Sequence, residues 1–124
     1  MKGYNSIMMR ETNIAARRSS QPYAGKAQAI ENLGGSPALY EKHLARFKKN
    51  YAHAYVSIQE YLDTDHKKEA QRFAHSIKGL AGMLGLTYLA RSAEALEMAL
   101  GSNAKDLSAE LSVFQERLEE IVEH

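Results

Sequence analysis

The chain has 124 residues, with 16 lysines and arginines against 15 aspartates and glutamates and a formal net charge of +1. That length suits one domain with its own core, and that charge gives no bulk attraction to nucleic acid or to an acidic membrane. There is no cysteine, which removes disulfide frameworks, thiolate zinc sites and cysteine nucleophiles. No apolar run approaches the ~18 residues of a membrane span. The opening MKGYNSIMMRETNIAARRSS lacks the apolar core of a secretory signal. The expected setting is therefore cytoplasmic, with neither nucleic acid nor membrane as partner.

Residues 1–22 fit a folded domain least well. Met8, Met9 and Ile14 could belong to a helix, but Arg17, Arg18, Ser19, Ser20 and Pro22 read as a linker. The expected division is an N-terminal extension or linker over 1–22 and a helical bundle over 23–124. A short helix is expected around Ala24 to Leu33. Next, GGSPALYEKHL offers Ser36 as N-cap and Pro37 at the first helical position, a strong start signal. From there Tyr40, Leu44, Phe47, Tyr51, Ala54, Ile58 and Leu62 recur every three or four residues. This spacing predicts one long helix.

LDTDHKKEA interrupts that pattern, with Thr64 or Asp65 as the next cap. Phe73, Ile77, Leu80 and Leu84 form a second apolar stripe that ends near Gly85. Thr87 can cap a third helix carrying Leu89, Ala93, Leu96 and Leu100, and GSN at Gly101 to Asn103 is a stop. A last helix carries Leu107, Leu111, Phe114, Leu118 and Ile121. No segment alternates like a strand. The fold class expected is all-α, an antiparallel up-and-down four-helix bundle with an extra short N-terminal helix.

One stretch, AHSIKGLAGMLG from Ala74 to Gly85, conflicts with its own helix. A mid-helix glycine costs about 1 kcal/mol against alanine, so Gly79 and Gly82 together cost ~2 kcal/mol. On a helical wheel His75 lies nearly opposite the apolar stripe. Lys68, Gln71, Arg72, Lys78, Gly79 and Gly82 fall beside it on the outer face. The glycines thus bare the helix around an exposed imidazole instead of serving the core. For Gly85, near the helix end, capping is the expected role.

Charge narrows the chemistry. Lys68, Arg72 and Lys78 line this face with no acidic residue between them in the helical projection. A triad histidine needs an orienting carboxylate, and a metal-bound histidine usually has one. None is near in sequence on this face, so His75 is expected to be exposed with no Asp or Glu within hydrogen-bond distance. A carboxylate at the ring would count against a carrier role. Cationic neighbours suit an imidazole that must bear an anionic group such as phosphoryl.

His43, His53, His66 and His124 are expected on the surface or rim. Tyr40, Tyr51, Tyr55 and the Met98–Leu100 run are expected in ordinary core or rim packing. Asp63 and His66 are the nearest approach to a di-metal Glu-x-x-His pair and stand alone, so no metal site is expected. The basic strip lacks interleaved aromatics, which argues against nucleic acid.

AHSIKGLAGMLG resembles the signature of histidine-containing phosphotransfer (HPt) domains of two-component phosphorelays. The resemblance runs from about Ala27 to the C-terminus and includes GGSPALYEKHLARF, LDTD, AHSIKG and LARSAEALE. AHSIKG also looks like the phosphoacceptor domain at the front of chemotaxis kinases. The resemblance implies a cytoplasmic phosphoryl carrier without ATP-dependent kinase activity of its own. By position, His75 would be the phosphoacceptor, Lys78 would stabilise the phosphoryl group, and Gly79 would keep the neighbouring surface open. Gly82 stands where the family also favours small residues. The implied partners are response-regulator receiver domains and a hybrid sensor histidine kinase. No cofactor is expected on this chain, which has no P-loop and no carboxylate cluster for Mg²⁺; Mg²⁺ is expected on the receiver. A neutral imidazole, with a reference pKa of about 6.5, is a competent nucleophile. The alternative is an adaptor that binds a signalling partner through the same face without phosphoryl chemistry. The presence of both His75 and Lys78 favours the carrier.

Overall fold

In the computed structural model the described residues are 21–123, and they form helices and turns with no strand among them. The helices are α1 (Lys26–Asn32), α2 (Pro37–Tyr51), α3 (Ala54–Asp63), α4 (Lys67–Met83), α5 (Thr87–Gly101) and α6 (Ser108–Val122). The expected helix formed by Met8, Met9 and Ile14, and the linker residues Arg17 to Ser20, lie outside the described residues.

The start of α2 follows the sequence. Ser36 is extended, Pro37 opens the helix, and Ser36 Oγ accepts a hydrogen bond from the Leu39 N–H at 3.1 Å. Such a cap is worth about 1 kcal/mol. The other expected caps differ. Thr64 Oγ1 donates back to the Glu60 carbonyl at 2.7 Å and so closes α3, while α4 begins after His66 without a side-chain cap. Thr87 is the first residue of α5, which Leu86 precedes, and no side chain caps it.

The single long helix expected from Ser36 to Leu62 is two helices. The break falls at Ala52–His53, where His53 leaves helical geometry with φ −109° and ψ 26°. Tyr51, Ala54 and Ile58 keep their spacing across it, so periodicity does not register the break.

Four of the helices close a ring: α4 packs on α5, α5 on α6, α6 on α3 and α3 on α4, while α1 packs on α2. The α4–α5 pairing is the most extensive. Ala70, Ala74 and Ala81 on α4 and Ala93 on α5 are all fully buried, and small side chains let two backbones approach closely. The buried face of α4 is therefore centred on these alanines and Ile77. Of the stripe expected there, Ile77 and Leu84 are buried, while Phe73 and Leu80 sit half-buried on its flank. Phe73 meets the rings of Tyr51 and Tyr61 at centroid distances of 5.8 and 6.1 Å. On α5 and α6 the expected stripes are buried, with Leu107 at the margin.

Gly85 joins α4 to α5. It adopts φ +72°, and a Cβ there would lie 2.3 Å from the backbone carbon and oxygen of Gly25. The Gly25 N–H donates to the Gly85 carbonyl at 2.9 Å. The capping role expected of Gly85 is met, and the same residue admits the chain leading into α1. Alongside, the fully buried Tyr40 donates its hydroxyl to the Leu84 carbonyl at 2.7 Å. Burial pushes the Tyr40 phenol up to about 12, with Glu41 and Tyr23 adding to the shift. The phenol therefore stays a donor across the physiological range.

These contacts set a contrast between glycines. Gly85→Ala is expected to lower stability by at least about 2 kcal/mol in denaturant unfolding, through left-handed strain and collision with Gly25. Gly79→Ala is expected to raise stability by up to about 1 kcal/mol, because it fills open space on a helix.

Candidate functional site

His75 lies in the middle of α4, and its side chain is 64% exposed. A Cβ added at Gly79 or Gly82 would meet nothing within 4 Å. Both glycines leave open helix surface on the histidine's side, as the wheel required, and neither serves helix packing. Lys68 and Arg72 are exposed, and Gln71 is half-buried between α4 and α5. Gln71, Arg72, His75, Ser76 and Glu97 line one open hollow. Lys68, Gly79 and Gly82 lie outside its lining, on the same outer face.

The expectation of a histidine without a carboxylate is overturned. Glu97, on α5, places Oε2 at 2.8 Å from His75 Nδ1, a hydrogen bond across 22 residues of sequence. Its Oε1 lies 3.1 Å from Lys78 Nζ. Oε1 is shielded from water, and the ammonium approaches it outside hydrogen-bond geometry, so that contact is an ion pair. The basic strip is also less free than its sequence implied: Lys78 is engaged by Glu97, and Arg72 lies 3.8 Å from Glu69. The wheel missed Glu97 because it shows one helix, and Glu97 arrives from the next. LARSAEALE contains the residue, but only the pairing of α4 with α5 aims it at His75. Ser76 was also missed, as a small polar residue that no spacing distinguishes.

Glu97 is mostly covered, with 20% of its side chain exposed. Burial favours its neutral form, yet the contacts and charges of Lys78 and His75 outweigh that and hold its carboxyl below the usual range. An ionised carboxylate only accepts hydrogen bonds. His75 Nδ1 must then carry the proton, and in the neutral ring Nε2 keeps its lone pair. The His75 ring makes no other hydrogen bond among the described residues. The arrangement thus fixes one tautomer and leaves the other nitrogen available for chemistry.

Of the remaining expectations, Tyr40 is buried and Tyr51 and Tyr55 are half-buried, but Met98 is 67% exposed and packs in neither core nor rim. His43 is half-buried, His53 and His66 are exposed, and His124 lies outside the described residues. Thr64 Oγ1 lies 2.8 Å from His66 Nδ1, a local contact at the start of α4. Among the described residues no three His, Asp or Glu side chains gather as a metal set. None of their helices is long and apolar enough to cross a membrane.

A helical bundle that displays one tautomer-fixed histidine on a bared outer face defines a histidine-bearing module. The family model described as Hpt domain matches residues 42–124, and the chain belongs to that family. Helix α1 and the first turn of α2 precede the matched segment. No curated protein and no solved structure matches the chain. Hpt domains take part in phosphotransfer within two-component systems, as phosphocarriers without a kinase activity of their own, and they interact with receiver domains and kinases.

Two measurements probe the Glu97 contact. Nitrogen NMR of the neutral His75 ring is expected to show the Nδ1–H tautomer; dominance of Nε2–H would show that Glu97 does not hold it. Because the folded carboxyl titrates below its unfolded value of about 4.3, its stabilising effect is complete above that value and disappears as pH falls through the lower folded one. The stability difference between the parent and Glu97→Gln is therefore expected to shrink on acidification below about pH 4. A difference that stays constant would contradict the contact.

Proposed function

We propose that the chain is a phosphorelay intermediate in which His75 Nε2 takes a phosphoryl group from a receiver-domain aspartyl phosphate and passes it to a second receiver. The observation that carries this reading is the exposed His75 with Nδ1 held by Glu97. As Nε2 attacks phosphorus, the N–P bond forms and the P–O bond to the aspartate breaks, releasing its carboxylate. The ring gains positive charge, and the Nδ1–H stays against Glu97, which offsets that charge. Reversal on another receiver returns a neutral imidazole with the same tautomer.

A carboxylate at the ring does not oppose this role when it occupies Nδ1 alone. A hydrolase triad would need a nucleophilic hydroxyl on the other nitrogen, and no such contact is present among the described residues. Lys78 is the cation placed to meet the phosphoryl oxygens, and to do so it must release Glu97. Lys68, Gln71, Arg72, Gly79 and Gly82 form the face on which a receiver docks. The receiver brings the aspartate and Mg²⁺, which supplies the main charge neutralisation of phosphoryl transfer. A hybrid sensor kinase is a fitting source of the first receiver, and a cytoplasmic setting fits these partners. The short connections and the ring of helix contacts support the antiparallel up-and-down four-helix arrangement, with α2 and α3 as one interrupted arm.

Transfer assays from phosphorylated receivers test the reading. His75→Gln keeps a polar side chain and is expected to abolish acid-labile phosphate on the chain while receiver binding persists. Lys78→Ala removes a charge-assisted contact worth about 1.5–3 kcal/mol, so transfer should slow by roughly one to two powers of ten. Gly79→Leu is expected to slow transfer far more than it changes stability, since it stands one helical turn from His75. Label that persists on the His75→Gln protein would place the acceptor elsewhere. A parent that binds receivers but accepts nothing would make the chain an adaptor.

A further inference from the structure

Gln71 is one turn before His75 on α4 and lines the same hollow. Its side chain is half-buried, yet its amide has no hydrogen-bond partner among the described residues. Its position depends on Gly101, the last residue of α5. A Cβ on Gly101 would lie 2.7 Å from Gln71 Nε2 and 3.5 Å from its Cδ. The Gln71 amide therefore occupies the space that any other residue at 101 would fill. Gly101 is not in the left-handed region that would demand glycine, so its own backbone does not require the absence of a side chain there. A long side chain laid against bare backbone, with its amide unpaired, leaves its N–H donors available to a partner that comes from outside.

Resting on the reading of His75 as phosphoacceptor, we propose that Gln71 donates a hydrogen bond to a phosphoryl oxygen during transfer, and that Gly101 is a positioning residue that holds Gln71 there. An amide N–H₂ offers two donors to an anionic acceptor. It adds no charge beside Glu97, so it supports the phosphoryl group without competing for that carboxylate as a third cation would. His75 and Gln71 are four residues apart on one helix, a spacing at which side chains are neighbours. Lys78 lies three residues beyond His75, so the phosphoryl group would be met from both sides along the helix.

The experiment is a double-mutant cycle on single-turnover transfer from a phosphorylated receiver, with binding of the unphosphorylated receiver and unfolding measured on each variant. Gln71→Ala is expected to slow transfer about threefold to tenfold, the range of one hydrogen bond, and by more than it weakens binding of the unphosphorylated receiver. Gly101→Ala is expected to do the same with stability unchanged or raised, because the amide is displaced while the helix gains propensity. The double variant should be no slower than the slower single one, since both remove one contact. Parent-like transfer in either single variant, additive losses in the cycle, or an equal loss in unphosphorylated binding would each overturn the proposal. If the parent takes up phosphate, the His75→Gln protein does not, and both new variants match the parent, then this proposal fails while the phosphoacceptor assignment stands. A parent that accepts nothing overturns both.

Discussion

The close pairing of α4 with α5 governs this protein. It turns through Gly85 in the left-handed region, where the chain leading into α1 also packs through Gly25. It requires a row of alanines where larger side chains would force the helices apart. Once the pairing is made, residues far apart in sequence come to face one another in a fixed register. Glu97 then falls beside His75 and Lys78, and Gly101 falls beside Gln71. The proposed functional face is a consequence of how two helices meet as much as of what one helix carries.

That pairing gives the histidine a division of labour between its two nitrogens. Nδ1 is committed to Glu97, and Nε2 is not. An imidazole on an isolated helix would sample both tautomers and many ring orientations. Here a carboxylate kept ionised by Lys78 and His75 selects one tautomer before any partner arrives. Lys78 serves two demands in turn: it sustains the charge of Glu97 at rest, and in the proposed reaction it meets the incoming anion. The two glycines contribute only by having no side chain. Their propensity cost stays small against the packing of Ile77 and the alanines on the opposite face.

The reading of single helices reached far along this chain. Ser36 and Pro37 announced α2 through local chemistry alone. The stripes of α5 and α6 followed from their periodicity, and the outward placement of His75, Gly79 and Gly82 followed from helical geometry. Each depends on neighbours within about one or two turns, and such information is written in consecutive residues. The errors share the opposite character. The break at His53 was invisible because the apolar spacing continues across it. Thr64 turned back to the preceding helix because its hydroxyl had two competing sets of backbone partners.

By itself, then, the sequence determined the helical class, the outward histidine, the bared strip around it and the family resemblance carried by AHSIKG. The tertiary structure decided what touches the imidazole. Glu97 belongs to another helix, and a carboxylate acts on a ring nitrogen only within hydrogen-bond reach. That distance is fixed by helix pairing across a glycine turn, and no periodicity within either helix encodes it. For the same reason Gln71 read as one more polar residue on a surface strip. Only the approach of Gly101 from α5 sets the space its amide occupies in the hollow that His75 also lines.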